Sequence, residues 1–358
     1  MKKNILVVDD SALMRRVICD IINSDNMFQA TDTCRDGLEA YERLKTTKYD
    51  GVVLDVNMPR MDGLALLEKL QQDRIKATVI MVSTLTTKDA EVTMLAMERG
   101  AVDFVAKPNN VIEAKGEDFK EKLLSVLSAV IRSGNKDFFF SPVQKAKLGS
   151  SIKKPVVTRA ASARRNKKLV ALASSTGGPK ALQSVIPYLP KGLDAPVVLV
   201  QHMPKGFTKS MADRLNELSQ VTVKEAEEGD ILQNGWVYIA PGGQHMEVAR
   251  TPDGRHKIKL NDSPAIGGLR PCANITYESL RSSSFDEITC VVLTGMGADG
   301  TKGILSLQKT KPIYVVSQNA QTCVVYGMPK AIAETGIVDE VVPLTEVAQS
   351  IIKNVGVK

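Results

Sequence analysis

The sequence predicts two α/β units, each built on a parallel sheet and joined by a basic linker. Apolar runs of strand length alternate with stretches of helical spacing over residues 3–125, and again from Lys168 onward. Between them the rhythm stops, in a segment of Ser, Gly and Lys/Arg runs. The 358 residues, 43% of them hydrophobic, suffice for two full cores. The units are placed at 1–125 and 168–358, with the linker at 126–167.

In the first unit, Ile5-Leu6-Val7-Val8, Gly51-Val52-Val53-Leu54 and Val79-Ile80-Met81-Val82 read as strands buried on both faces. Phe104-Val105 and its neighbours supply another. Residues 12–24 and 64–71 have helical spacing. In the second unit, 169–173, 197–200, 288–293 and 313–316 read as strands, and 179–188, 207–218, 270–280 and 300–307 as helices. Short runs over 221–260 resemble a β-hairpin excursion.

Net charge is +7, which raises the question of nucleic acid. Residues 132–168 hold eleven Lys/Arg and one acid, Asp137, an excess of ten, so the remainder of the chain is acidic by three. The basicity belongs to a solvated linker and not to a folded face, and no nucleic-acid partner is expected. Phe138-Phe139-Phe140 interrupts this linker without an assigned role. The apolar run Ile5 to Val8 is too short for a signal-peptide core or a membrane span, so membrane insertion is not expected. Five cysteines without CxxC spacing fit reduced thiols in the cytoplasm and give no support for zinc.

In an open parallel sheet, function gathers beyond the carboxyl ends of the strands. Asp9, Asp10, Asp55, Ser83 and Lys107 all fall there. Three carboxylates held together need a cation, and oxygen ligands favour Mg²⁺. With Mg²⁺ bound, one carboxylate can attack phosphorus and become an acyl phosphate, whose oxygens Ser83 and Lys107 could bind. Any one of these acids alone reads better as a solvated loop residue.

With Asp55-Val56-Asn57-Met58-Pro59-Arg60-Met61-Asp62-Gly63 and Lys107-Pro108 included, residues 3–125 resemble the receiver domain of two-component response regulators. The resemblance implies a flavodoxin-like doubly wound sheet and Asp55 as the phosphoacceptor. It implies Asp10, Asp55 and the Asn57 carbonyl as Mg²⁺ ligands, with Asp9 acting through water. Ser83 and Phe104 match the switch hydroxyl and switch aromatic, and Lys107 the family lysine. Core packing is the other reading of Phe104.

In the second unit, the strand over 169–173 runs into Ser174-Ser175-Thr176-Gly177-Gly178, and Pro179 opens a helix. A serine on so sharp a turn is exposed and lies near backbone N–H donors. A Ser/Gly turn of this kind could equally bind phosphate. A serine nucleophile needs a base, and the chain has three histidines. His202 follows a strand, on the rim shared with Ser175. His245 lies in a Gly-rich turn, and His256, in a polar stretch, reads as solvated. Asp299, in Thr294-Gly295-Met296-Gly297-Ala298-Asp299-Gly300, follows another strand and could orient the base. Its other reading is an N-cap of the next helix. The glycines around Met296 make its amide an oxyanion-donor candidate.

These motifs, with Tyr326-Gly327-Met328-Pro329, resemble the chemotaxis receptor methylesterase family from about Leu169 to Ile352. The resemblance implies a Rossmann-like domain with Ser175 as nucleophile, His202 as base and Asp299 as orienting acid. The oxyanion would rest on the Met296 and Thr176 amides, and the esterase needs no cofactor. The implied activity is hydrolysis of glutamate methyl esters on methyl-accepting chemotaxis receptors, with methanol released, and deamidation of receptor glutamines. A chemotaxis histidine kinase would supply the phosphoryl group, and the cytoplasmic enzyme would be recruited to membrane receptor arrays. Three rival readings stand beside this one: a DNA-binding output, a serine protease, and a non-catalytic scaffold, which covalent labelling of Ser175 would exclude. A DNA-binding output would need a helix-turn-helix, which the sequence after Lys168 lacks. A serine protease would use the same triad. This chain has Ala173 and Ser174 where the family usually has Gly and Ala, and Asn274 where it usually has an acid.

Overall fold

The apolar runs of the first unit become a five-stranded parallel sheet because each strand can bury both faces under helices. The computed structural model describes residues 1–108, 113, 116–133 and 167–358. Most of the expected linker, with Phe138–Phe140, lies outside the described residues. The elements are β1 (Lys3–Val8), α1 (Ala12–Ser24), β2 (Phe28–Cys34), α2 (Gly37–Thr46), β3 (Gly51–Asp55), α3 (Gly63–Gln72), β4 (Val79–Ser83), α4 (Thr87–Glu98), β5 (Asp103–Ala106) and α5 (Glu117–Ser133). Strand order is β2-β1-β3-β4-β5, the flavodoxin-like doubly wound order. The helices start where side chains can cap them. Ser11 accepts from the Met14 amide at 3.3 Å, and Asp36 accepts from the Leu38 and Glu39 amides at 3.0 Å each. Val17, Ile18, Ile21 and Ile22 form the buried face of α1.

β2 was not legible as a strand. Its sequence FQATDTC is half polar, because as the edge strand it is buried only at its two ends and partly exposed between. α5 runs unbroken across residue 125, where the sequence placed the end of the first unit.

The second unit contains β6 (Lys168–Ser174), α6 (Gly178–Gln183), β7 (Val197–Gln201), α7 (Phe207–Leu218), β8 (Thr222–Glu225), β9 (Trp236–Ile239), β10 (His245–Arg250), β11 (His256–Asn261), α8 (Ala273–Ser279), β12 (Glu287–Val292), α9 (Thr301–Gln308), β13 (Ile313–Gln318), α10 (Met328–Ala333), β14 (Glu340–Val342) and α11 (Val347–Val355). Seven of the strands form a sheet in the order β14-β13-β12-β6-β7-β9-β8, with every pairing parallel. The hairpin expected over 221–260 is only β10 and β11, while β8 and β9 extend the main sheet. The helix expected over 179–188 stops at Gln183 and resumes as a 3-10 turn, Ile186–Tyr188, since Pro187 has no amide to donate. The helix expected from residue 270 begins at Ala273, after Pro271, which keeps its predecessor out of helical conformation.

The two units pack directly on one another. The rings of Phe104 and Phe207 stack at 4.4 Å. Arg214 on α7 grips Glu98 on α4 through two hydrogen bonds, 2.5 and 2.9 Å. Val324 packs into the cluster that contains Ile5, Val53 and Leu127.

His256 is not solvated. It is buried against Phe285, with ring centroids 4.2 Å apart, and its Nε2 accepts from the Ser284 amide at 2.9 Å. Burial, then the charges of Lys167, Arg250 and Lys311, push its pKa down to about 4. An unfolded imidazole protonates near ~6.5, so stability is full above that pH and falls as pH drops toward 4. The thermal midpoint of the wild-type protein should therefore fall between pH 7.5 and 5.5, and that of His256→Asn should fall less. Equal slopes in scanning calorimetry would reject this role for His256.

Candidate active site and phosphoacceptor pocket

In the second sheet the chain leaves β6 toward β7 and returns on its other side at β12. Loops after β6 and β12 therefore diverge and open a crevice at the strands' carboxyl ends. Ser175 sits at that point. The turn closes because the Gly178 amide donates to the Ser175 carbonyl at 2.7 Å, and the Ser175 amide donates to the Thr294 carbonyl at 3.0 Å. Gly177 has φ +74, and a Cβ there would lie 2.5 Å from Val324. Gly295 is equally constrained, with Ser175 Cβ 2.8 Å from where its own Cβ would be.

His202 Nε2 lies 2.8 Å from Asp299 Oδ2. Its Nδ1 is buried and has no hydrogen-bond partner. An anionic Asp299 must accept from Nε2–H, which leaves the Nδ1 lone pair available as base. Asp299 also accepts from the amides of Ala273 (2.6 Å), Asn274 (3.1 Å) and Gly300 (2.9 Å), and from the Cys272 thiol at 3.1 Å. Burial works to raise its pKa. The bond from His202, its charge, and then the amide and thiol donors outweigh burial and hold the carboxyl at about 2. The cap reading of Asp299 thus applies to α8, whose first amides it receives, and not to the next helix. That helix, α9, is held by Asn274, whose Oδ1 accepts from Gly300 and Gly303 at 3.1 and 2.7 Å. Asn274 is therefore a clamp on the Asp299 loop, a role its place in the sequence did not reveal. Ala173 is fully buried in the core, so its methyl group points away from the crevice.

His245 does not join this group. It is buried, with Nδ1 accepting from the Cys272 amide and Nε2 meeting the Pro264 carbonyl, each at 3.2 Å. The Met296 side chain is exposed and meets the Ser125 hydroxyl at 3.2 Å, so α5 touches the loop that carries the expected oxyanion donor.

The crevice is a space of about 790 Å³ shared by both units. Phe104, Lys107 and Phe119 line one side, and Ser175, His202 and Arg270 the other. Asp103 enters the turn that carries Ser175: its carboxylate accepts from the Thr176 hydroxyl and the Gly177 amide. Burial pushes this carboxyl up to about 6, against those donors and the charge of Lys122.

At the first sheet's own switch point, between β1 and β3, carboxylate oxygens of Asp9, Asp10 and Asp55 lie within 4.8 Å of one another. Lys107 Nζ lies 2.8 Å from Asp9 and 2.7 Å from Asp55. Burial raises the Asp55 pKa to about 6, with Asp9 adding to it and Lys107 opposing. Such a set of oxygens fits a hard divalent cation. The Asn57 side chain turns away to Asp89 at 2.6 Å, which leaves its carbonyl, the expected ligand atom, uninvolved in that bond. The Ser83 hydroxyl is engaged on α4: it accepts from Thr93 at 2.8 Å and reaches the Asp89 carbonyl at 3.4 Å. Phe104 packs on Phe207 of the other unit and so is more than a core residue.

Residues 170–351 match the family model of the CheB methylesterase, and residues 5–115 that of the response regulator receiver domain. A protein-glutamate methylesterase/protein-glutamine glutaminase of Syntrophomonas wolfei is 41% identical over 358 residues, 98% of this chain and 99% of the relative. The Bacillus subtilis protein of that name is 39% identical over 350 residues, 97% of each chain. The crystal structure of the Thermotoga maritima CheB methylesterase catalytic domain superposes with a TM-score of 0.51 and 42% identity, covering 53% of this chain and 99% of that one. The chain belongs to the CheB methylesterase family, with a response regulator receiver domain preceding the esterase.

Proposed function

We propose that this chain is a phosphorylation-activated protein-glutamate methylesterase. Its substrates are methylated glutamates of chemotaxis receptors, and it deamidates receptor glutamines by the same acyl chemistry. The observation that carries this reading is the buried His202–Asp299 pair, with an unpartnered ring nitrogen in the crevice that holds Ser175. Ser175 Oγ attacks the ester carbonyl while His202 Nδ1 takes its proton. The oxyanion rests on the Met296 and Thr176 amides. His202 returns the proton to the leaving methanol, or to ammonia from a glutamine. Water then attacks the acyl-enzyme with His202 again as base. Asp299 stays ionised throughout and stabilises the imidazolium. We read 1–125 as the receiver, 126–167 as linker and 168–358 as esterase.

Control resides in the receiver. Asp55 is the phosphoacceptor, and a chemotaxis histidine kinase is the donor. Mg²⁺, held by Asp10, Asp55, the Asn57 carbonyl and, through water, Asp9, would neutralise charge on the transferring phosphoryl group. Lys107 already bridges Asp9 and Asp55 and is placed to pair with a phosphoryl oxygen. Ser83 must leave Thr93 and the Asp89 carbonyl to reach that group, which frees the start of α4. Because α4 holds Glu98 against Arg214, and Phe104 stacks on Phe207, that movement favours release of the crevice. No helix among the described residues is long and apolar enough to cross a membrane. Receptor arrays are the proposed place of action.

Ser175→Ala should lose at least about a thousandfold in methanol release from methylated receptor, with His202→Ala close behind and the double variant little worse. Near-wild-type turnover in Ser175→Ala would remove it from the mechanism. Asp55→Asn should keep basal turnover and lose stimulation by a small phosphodonor, because an amide cannot form the acyl phosphate. Stimulation that persists would place the phosphoacceptor elsewhere.

A further inference from the structure

Gln201 ends β7 and directly precedes His202, and it is only 1% exposed. Its side-chain amide is engaged at both ends. Oε1 accepts from the Ser174 hydroxyl at 2.7 Å, and Nε2 donates to the carbonyls of Ser175 (2.9 Å) and His202 (3.3 Å). Carbonyl oxygens only accept, so the nitrogen must face them and the orientation of the amide is fixed. Gly178 makes the room, since a Cβ there would lie 1.9 Å from Oε1. One side chain therefore spans the ends of β6 and β7, which carry the nucleophile and the base. Ser174 is fully buried, and an Ala at that position would leave Oε1 without this donor.

We propose that Gln201 and Ser174 act as a positioning pair, which fixes the Ser175 turn against the His202 backbone so that Oγ and Nδ1 meet. Ser174 sets the Gln201 amide, and Gln201 ties the two catalytic backbones together. Neither touches substrate. A small drift of the turn would lengthen the proton-transfer path, and rate is steeply sensitive to such misplacement. This inference rests on the roles given above to Ser175 and His202.

The test uses the full-length protein with phosphodonor, measuring kcat and KM for methanol release from pH 6 to 8, together with thermal unfolding. Ser174→Ala should lower kcat about fivefold with KM unchanged, roughly the rate equivalent of one neutral hydrogen bond. Gln201→Glu still accepts from Ser174, but its carboxylate cannot donate to the two carbonyls. Its kcat should be at least about fiftyfold down at pH 8, and should recover relative to wild type toward pH 6 as the buried acid protonates and regains a donor. A general loss of structure would not give that recovery. Wild-type kcat in both variants at every pH, with Ser175→Ala inactive, would overturn the positioning role alone. A pH-independent loss that tracks a lowered unfolding midpoint would reduce the pair to structural residues and also overturn it. An active Ser175→Ala would instead remove the reading on which the inference stands.

Discussion

The site is organised around the Asp299 carboxylate. It receives three backbone amides, one thiol and the His202 ring, and these donors come from separate elements: the loop after β12, the start of α8 and the end of β7. A buried charge is tolerated only when it is satisfied in this way. Asn274 completes the arrangement from the other side by receiving Gly300 and Gly303, so Asp299, before α9, holds the first amides of α8, and Asn274, in the first turn of α8, holds the start of α9. The position of His202 against Asp299 follows from this mutual support, because neither the Asp299 loop nor the first turn of α8 can shift without leaving amides of the other unpaired.

Much of this was legible in the sequence because it depends on local pattern. Apolar runs marked the central strands, and strand ends marked Asp9, Asp10, Asp55, Ser175, His202 and Asp299. What stayed hidden depended on partners distant along the chain. β2 is an edge strand with a half-polar surface, so its pattern resembles a loop. His256 sits in a polar stretch, yet Phe285 and Ser284 arrive from elsewhere to bury it. Asn274 stood out only as a departure from the family's usual acid, and only the fold brings the α9 amides onto it. Gln201 stood beside His202 in plain view, but a glutamine at a strand end has no chemical signature of its own.

The interface between the units joins unlike contacts. Phe104 on Phe207 is apolar and non-directional, while Arg214 on Glu98 is paired and directional. Asp103 is different again, a carboxylate beside the Ser175 turn whose pKa burial raises against the donors that hold it.

The orientation of the His202 ring has a mechanical side. Rotation about Cα–Cβ swings Nε2, at the far end of the imidazole, through a wide arc, while Nδ1, bonded to Cγ, stays nearer the axis. Asp299 holds the far end. With the long arm tethered the ring cannot swing, so Nδ1, the nitrogen proposed for proton transfer, is kept in place on the short arm.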